Sequence, residues 1–152
     1  VEVNLLDQLK ITLELFKDID NIMFRVQWPK ENKVIVFADK EHLNGVFSNL
    51  FKNAIQSIPS GRNGFVDVKI EVTGSKVVVE ISDNGTGIPE ELQKKLFTPN
   101  FTTKSSGMGL GLSIVKRYID SANGRIWFKS ETDKGSVFSF ELPLMYTVEK
   151  LG

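Results

Sequence analysis

The sequence predicts an α+β fold, a two-layer sandwich in which helices cover one face of a sheet. Segments with apolar residues at helical spacing separate pairs of short segments in which apolar and polar residues alternate. One of these pairs alternates so regularly that one face of its sheet must be buried and the other wet. The 152 residues, 41% of them hydrophobic, are enough for a single domain with one core.

Two helices and two strands are predicted in the first part of the chain. Pro29 ends the first strand, and the polar stretch Lys30–Lys33 reads as a turn before the second. Asp39 is well suited to cap the N-terminus of the longer helix. In order, the predicted elements are a helix over 4–17, strands Phe24–Trp28 and Val34–Phe37, and a helix from Asp39 to about Ser57.

A hairpin, two helices and a last strand pair are predicted in the remainder, and each consecutive strand pair is expected to be antiparallel. In order, these elements are strands Val66–Val72 and Val77–Ile81, helix Pro89–Phe97, an irregular loop over 98–108, a helix from the Gly109–Gly111 turn to Asn123, and strands Ile126–Lys129 and Val137–Leu142. The loop shows no periodicity and is rich in turn-forming residues, so we expect it to be mobile. The tail after Pro143 yields no prediction.

Composition excludes several classes of protein. Lys and Arg together number 19, as do Asp and Glu, so there is no basic excess of the kind that nucleic-acid-binding domains usually carry. The absence of cysteine excludes disulfides and thiolate metal sites. No apolar run approaches the length of a membrane helix, and no signal peptide is visible. Because the chain begins with Val1, we expect it to be an excised piece of a longer protein.

Two glycine-rich turns each have an ordinary structural explanation. Asp83-Asn-Gly85-Thr-Gly87 follows a predicted strand and could be plain turn chemistry. Alone it is weak evidence for the functional alternative, in which a buried carboxylate accepts from an exocyclic amine and the glycines let a flat ring lie close to the backbone. The turn Gly107-Met-Gly-Leu-Gly111 opens a helix but fits neither the dinucleotide fingerprint nor the P-loop. A helix entry of this kind can still bind phosphate through free N–H groups.

Three further polar residues are candidates for either a structural or a functional role. Asn49 and Asn53 lie four residues apart, on one face of the long predicted helix. Buried amides cost stability unless they are satisfied, so they are either bonded within the protein or they supply oxygen to a ligand such as Mg²⁺. His42, the only histidine, is assigned a surface role because one histidine cannot build a triad or a zinc site here.

Taken in order, four segments resemble those of the ATP-binding catalytic domain of sensor histidine kinases, which belong to the GHKL superfamily and have the Bergerat nucleotide-binding fold. They are Asn49-Leu-Phe-Lys-Asn53-Ala, Asp83-Asn-Gly-Thr-Gly87, Phe97-Thr-Pro-Asn-Phe101 and Gly107-Met-Gly-Leu-Gly111. The resemblance covers about residues 1–145 and is strongest to the nitrogen-regulatory type. It implies one catalytic domain over 1–152, a mixed sheet, and a mobile ATP lid over about 98–108.

The resemblance also implies ligands and residue roles. ATP would bind with Mg²⁺ and leave ADP as the product. Asp83 would accept a hydrogen bond from the adenine amino group, and Asn53 would ligate Mg²⁺. Asn49 and Lys104 would act on the phosphates as catalytic residues. The remaining nucleotide-binding residues would be Gly85, Gly87, Ile88, Phe97, Thr102, Thr103, Gly107, Gly109, Leu110, Gly111, Leu112 and Ser136.

Asn49 separates two branches of the superfamily. Gyrase-like relatives carry a catalytic Glu at the corresponding position, and that carboxylate activates water. An amide cannot act as a general base. The resemblance therefore implies phosphoryl transfer rather than hydrolysis.

The expected acceptor is a histidine on a phosphoacceptor helical hairpin of the same or a partner chain, a segment that this sequence lacks. The resemblance further implies a response regulator as partner of the full-length kinase, no nucleic-acid partner, a monomeric fragment, and a cytoplasmic location in a membrane-bound bacterial sensor kinase. Two alternatives stay open at this point. One is a GHKL serine kinase of the anti-sigma type, and the other is a non-catalytic interaction domain with a degenerate nucleotide pocket.

Overall fold

The computed structural model describes residues 1–98 and 108–149. The elements are, in chain order, β1 (Glu2–Asn4), α1 (Leu5–Phe16), β2 (Ile22–Gln27), β3 (Glu31–Phe37), α2 (Lys40–Gln56), β4 (Gly64–Thr73), β5 (Lys76–Asp83), α3 (Glu90–Gln93), α4 (Met108–Ser121), β6 (Arg125–Glu131), β7 (Gly135–Pro143) and β8 (Tyr146–Glu149). The predicted lid over 98–108 falls almost entirely outside the described residues.

The main layer is a five-stranded sheet with the order β2-β4-β5-β7-β6. All its neighbouring strands are antiparallel except β2 and β4, which are parallel, so the sheet is mixed. Helices α2 and α4 cover one face and enclose the core with it. The other face is polar, as in the ion pair between Arg25 and Asp67. The predicted α+β class, with helices on one sheet face, is confirmed.

A second, three-stranded sheet with the order β1-β3-β8 was not predicted. Strand β1 is only three residues long and cannot show alternation, and β8 lies in the tail that yielded no prediction. The stretch predicted as a turn, Lys30–Lys33, belongs largely to β3. The expectation that β2 and β3 pair with each other is wrong, because they enter different sheets and β2 pairs with β4 instead.

Side-chain caps fix the starts of the first two helices. Asp39 Oδ1 accepts from the backbone N–H groups of Glu41 at 2.8 Å and His42 at 3.1 Å, which confirms the predicted cap of α2. Asn4 Oδ1 caps α1 and also accepts from Val34 N at 3.0 Å, which ties that helix to β3. Helix α3 is shorter than predicted: it ends at Gln93, and the chain continues in turns.

No helix in the described part of the chain is long and apolar enough to cross a membrane. The longest, α2, carries charged and amide side chains along its length.

Candidate functional site

The site is organised around the carboxylate of Asp83, the last residue of β5. Its Oδ1 accepts from Gly85 N at 2.9 Å and from the Ser57 hydroxyl at 3.0 Å. Burial raises the pKa of Asp83 above its ordinary value, and the hydrogen bonds from Gly85, Ser57 and the backbone N–H of Ser136 oppose that rise only in part. A carboxylate has about four lone-pair positions, so these three donors leave Asp83 able to accept one more.

The turn after Asp83 rests directly on the end of α2. Ser57 is the C-cap residue of that helix, and its carbonyl accepts from Thr86 N at 2.9 Å. A Cβ on Gly85 would collide with the Ser57 hydroxyl and carbonyl. Glycine at 85 therefore allows the turn to approach the end of α2. The turn then holds Asp83 against that helix end.

On its other side the turn is enclosed by the hairpin of β6 and β7. Gly87 has φ +74°, and a Cβ there would meet the carbonyl of Glu131. Asp133 N donates to Thr86 O at 2.7 Å across the same contact. The structure thus gives Gly87 a packing role against the hairpin, in addition to the role beside a bound ring that the sequence predicted.

Ser136 is buried and lies opposite Asp83 in the pairing of β5 with β7. Its hydroxyl is 2.8 Å from that of Ser130, which also accepts from Ile88 N at 2.8 Å. The two serines thereby connect the end of β5 to the start of the α3 segment. Ser130 and Ser57 were not predicted as site residues, because an isolated serine has no periodic pattern.

Asn49 and Asn53 of α2 lie on the same side of the helix as Ser57, because the three residues are spaced four apart. Asn53 is only 6% exposed, and its Nδ2 atom is buried without a hydrogen-bond partner. Asn49 donates from Nδ2 to Gly45 O at 2.7 Å. An ideal Cβ on Gly111 of α4 would stand 2.9 Å from Asn49 Oδ1, so α4 packs closely against α2 beside this amide.

The amide oxygen of Asn53 is the atom that would bind a magnesium ion at this site. The unpartnered atom of Asn53 is Nδ2, a donor, so that atom suits an acceptor such as a phosphate or water oxygen rather than the cation itself. The described residues form no cluster of three or more His, Cys, Asp or Glu side chains. A cation here would rely on one amide oxygen with phosphate oxygens and water, a ligand set that suits Mg²⁺.

The other predicted site residues divide into four groups. Ile88 is buried, and Phe97 packs edge-on against Phe128 with ring centroids 5.8 Å apart. Leu112 is fully buried, so its side chain belongs to the core and only its backbone is available to a ligand. Gly109 and Leu110 belong to the first turn of α4, and four predicted residues lie outside the described chain: Thr102, Thr103, Lys104 and Gly107.

His42 is separate from this site. Its ring stacks on Tyr118, with centroids 4.0 Å apart and planes 7° apart. It lies eleven residues before Asn53 on α2, which corresponds to about 16 Å along the helix axis. The predicted surface role of His42 agrees with its half-buried position at the far end of the helix.

A protein-family model described as histidine kinase-, DNA gyrase B- and HSP90-like ATPase matches residues 38–145. Sporulation kinase C of Bacillus subtilis (strain 168) is 34% identical over 140 residues, which are 92% of this chain and 32% of that protein. Sensor histidine kinase ZraS of Escherichia coli (strain K12) is 39% identical over 110 residues, 72% of this chain and 23% of that protein. The chain thus spans about a third or less of these relatives.

Among solved structures, the catalytic domain of histidine kinase ThkA in a nucleotide-free form superimposes with a TM-score of 0.82 at 37% identity. The match covers 94% of each of the two chains, so the similarity extends over the whole domain. The Asp83 turn, the amide face of α2 and the glycines of α4 all lie within the residues that the family model matches. This chain belongs to the histidine kinase-, DNA gyrase B- and HSP90-like ATPase family and is homologous to the catalytic domains of histidine kinases.

Proposed function

We propose that this domain binds Mg-ATP along α2 and donates the γ-phosphoryl group to a histidine on a separate phosphoacceptor hairpin. One observation carries the proposal: Asn49, Asn53 and Ser57 follow one another at intervals of four residues on one face of α2. Ser57 contacts the adenine-accepting candidate Asp83, and one turn away Asn53 presents an amide whose Nδ2 donor has no partner. Asn49 follows after another turn, next to Gly111 of α4.

This order suits an extended nucleotide. The base lies at the Asp83 end, where a half-buried carboxylate can accept one more donor. The phosphates lie towards Asn49 and the N-terminus of α4, where free N–H groups and the helix dipole favour negative charge. When bound, Mg²⁺ neutralises charge on the phosphates, and Asn53 holds it in place. Asn49 supplies no general base, so the acceptor is a protein side chain rather than water.

The proposed partners follow from the same chemistry. The acceptor is a histidine outside this chain, on a hairpin of the same protein or of a dimer partner. Another solved structure contains histidine kinase ThkA in complex with the response regulator protein TrrA. By analogy, we propose that a response regulator is the final phosphoryl acceptor of the protein to which this domain belongs. Since the proposed phosphoryl donor is ATP, we also propose that the domain lies in the cytoplasm.

Thermal unfolding with and without nucleotide tests the binding step. Mg-ATP at 100 times its dissociation constant should raise the free energy of unfolding by about 2.7 kcal/mol, and removal of Mg²⁺ by chelation should reduce that gain. Asn53→Ala should lose the magnesium-dependent part of the gain. Asn44→Ala is the matched control, because Asn44 also has a buried polar atom without a partner on the same helix. Equal responses of the two variants would contradict the metal assignment.

The transfer step is tested by mixing the domain with labelled ATP and a separately produced phosphoacceptor hairpin of a sensor histidine kinase. The expected product is phosphohistidine on the hairpin, which is labile in acid and stable in base. An acid-stable phosphoserine on the added protein would instead support a serine kinase. Absence of any nucleotide response in the unfolding experiment would indicate a non-catalytic interaction domain.

A further inference from the structure

Among the described residues, Ser57, the C-cap residue of α2, is the one whose side chain hydrogen-bonds to Asp83. Its hydroxyl lies 3.0 Å from Asp83 Oδ1 and 2.7 Å from the carbonyl of Ala54, one turn back on the helix. Gly85 N reaches the same Oδ1 at 2.9 Å. The carboxylate is therefore held on one oxygen by two donors that come from different elements, the end of α2 and the turn after β5.

The hydroxyl and the backbone carbonyl of Ser57 make different contacts, so their roles can be separated by mutation. Its single proton is shared between Asp83 Oδ1 and the Ala54 carbonyl, and a charged acceptor forms the stronger hydrogen bond of the two. The anchor of the turn, by contrast, is the Ser57 carbonyl, which accepts from Thr86 N whatever the side chain. Removing the hydroxyl should therefore take away one of the donors that orient the carboxylate, leave the Gly85 hydrogen bond in place, and keep the turn attached.

We propose that Ser57 is a positioning residue that fixes the Asp83 carboxylate in the orientation that accepts the 6-amino group of adenine. It thereby contributes to the selection of adenine over purines that lack this amino group. The proposal rests on the proposed nucleotide-binding function of the same site. The orientation matters because a buried carboxylate that rotates away from its donors gives up both its internal hydrogen bonds and its alignment with the ligand.

The experiment compares two ligands, Mg-ATP and the magnesium complex of purine riboside triphosphate, which has no 6-amino group. Isothermal titration gives both dissociation constants for the wild type, for Ser57→Ala and for the exposed control Ser60→Ala. In the wild type and the control, ATP should bind more tightly than the analogue. In Ser57→Ala, ATP affinity should fall roughly tenfold, the size of one hydrogen bond to a charged group, while the affinity for the analogue stays unchanged.

The outcomes distinguish the failure of each idea. If Ser57→Ala keeps the wild-type preference for ATP, Ser57 does not position the carboxylate. If both ligands weaken equally, the serine only supports the turn, and the positioning role is overturned; thermal unfolding of the ligand-free variant would show the same structural loss. If the wild type binds no ATP, the proposed function itself fails. If the wild type binds both ligands equally, the assignment of Asp83 to the amino group fails.

Discussion

At the scale of single residues, Asp83 is an acid whose surroundings oppose its charge. Burial raises its pKa, and three hydrogen-bond donors offset that effect only partly. The folded state therefore binds the Asp83 proton more tightly than the unfolded state does. The stabilisation by the neutral carboxyl is present at low pH and is lost as the pH rises through the folded-state pKa. At neutral pH the charge costs the free domain stability, a cost that is consistent with the proposed role of Asp83 as an acceptor.

Asp83→Asn should make this cost measurable. The variant is neutral at every pH, so its free energy of unfolding relative to the wild type should increase as the pH rises above about 4, where the wild-type carboxyl loses its proton. Nucleotide binding should be lost, because the amide cannot replace the carboxylate as acceptor from adenine in its hydrogen-bonded setting. Urea unfolding at several pH values and titration with Mg-ATP measure the two effects. A variant with wild-type ATP affinity would disprove the adenine assignment.

The sequence marked Asp83, Asn49 and Asn53 as candidates. A strand end and a four-residue spacing are visible in one dimension but are ordinary alone, and the resemblance to the four kinase segments gave these residues their expected roles. Ser57 continues that spacing, but a serine at a helix end is ordinary capping chemistry, and its contact with Asp83 exists only in the folded chain. Ser130 is still less predictable, because its partners Ile88 and Ser136 reach it from other elements. Contacts of this kind depend on tertiary packing, which no local pattern encodes.

At the scale of elements, the turn after β5 is held between α2 and the hairpin of β6 and β7. Two glycines allow that approach, Gly85 on the helix side and Gly87 on the hairpin side. The sequence predicted the hairpin strands and the turn, but not that they touch. Likewise it could not predict the parallel pairing of β2 with β4, because the residues that form a strand do not specify its partner.

Gly87→Ala should therefore destabilise the domain more than Gly74→Ala. Both positions have positive φ, +74° and +61°, so both substitutions carry a backbone strain of about 1–2 kcal/mol. Only Gly87 also faces a backbone carbonyl, that of Glu131, whereas a Cβ on Gly74 would meet no atom within 4 Å. Overpacking should add about 1–3 kcal/mol at Gly87. Chemical denaturation of both variants measures the difference, and equal losses would show that the hairpin can yield.

At the scale of the whole molecule, α2 separates two regions. Its second half carries the amides and Ser57, and its first turns carry His42, stacked on Tyr118 of α4. The sequence placed both regions on one predicted helix, and the length of that helix sets the distance between them. In the proposed binding mode the phosphates lie towards Asn49, seven residues or about 10 Å along the helix axis from His42, so His42 is not within direct transfer distance of them.

The isolated domain should therefore acquire no acid-labile label when incubated with labelled Mg-ATP. His42→Gln should bind Mg-ATP as the wild type does, because its ring contacts Tyr118 rather than the candidate site. Filter binding of the base-treated protein and titration of the variant provide the two measurements. Stable label on His42 would contradict the proposal that the acceptor lies on a separate hairpin.

The small sheet has a mechanical consequence. Strands β1 and β8 flank β3 and are both antiparallel to it, and they engage its opposite ends: Glu2 pairs with Phe37, and Glu149 pairs with Glu31. Residues 1 and 149 are thus separated by roughly the length of β3, about 20 Å. Tension applied between them would run along the strands and load both ladders in shear, so their hydrogen bonds would have to break together rather than one at a time. The five-stranded sheet that carries Asp83 would stay outside this line of force.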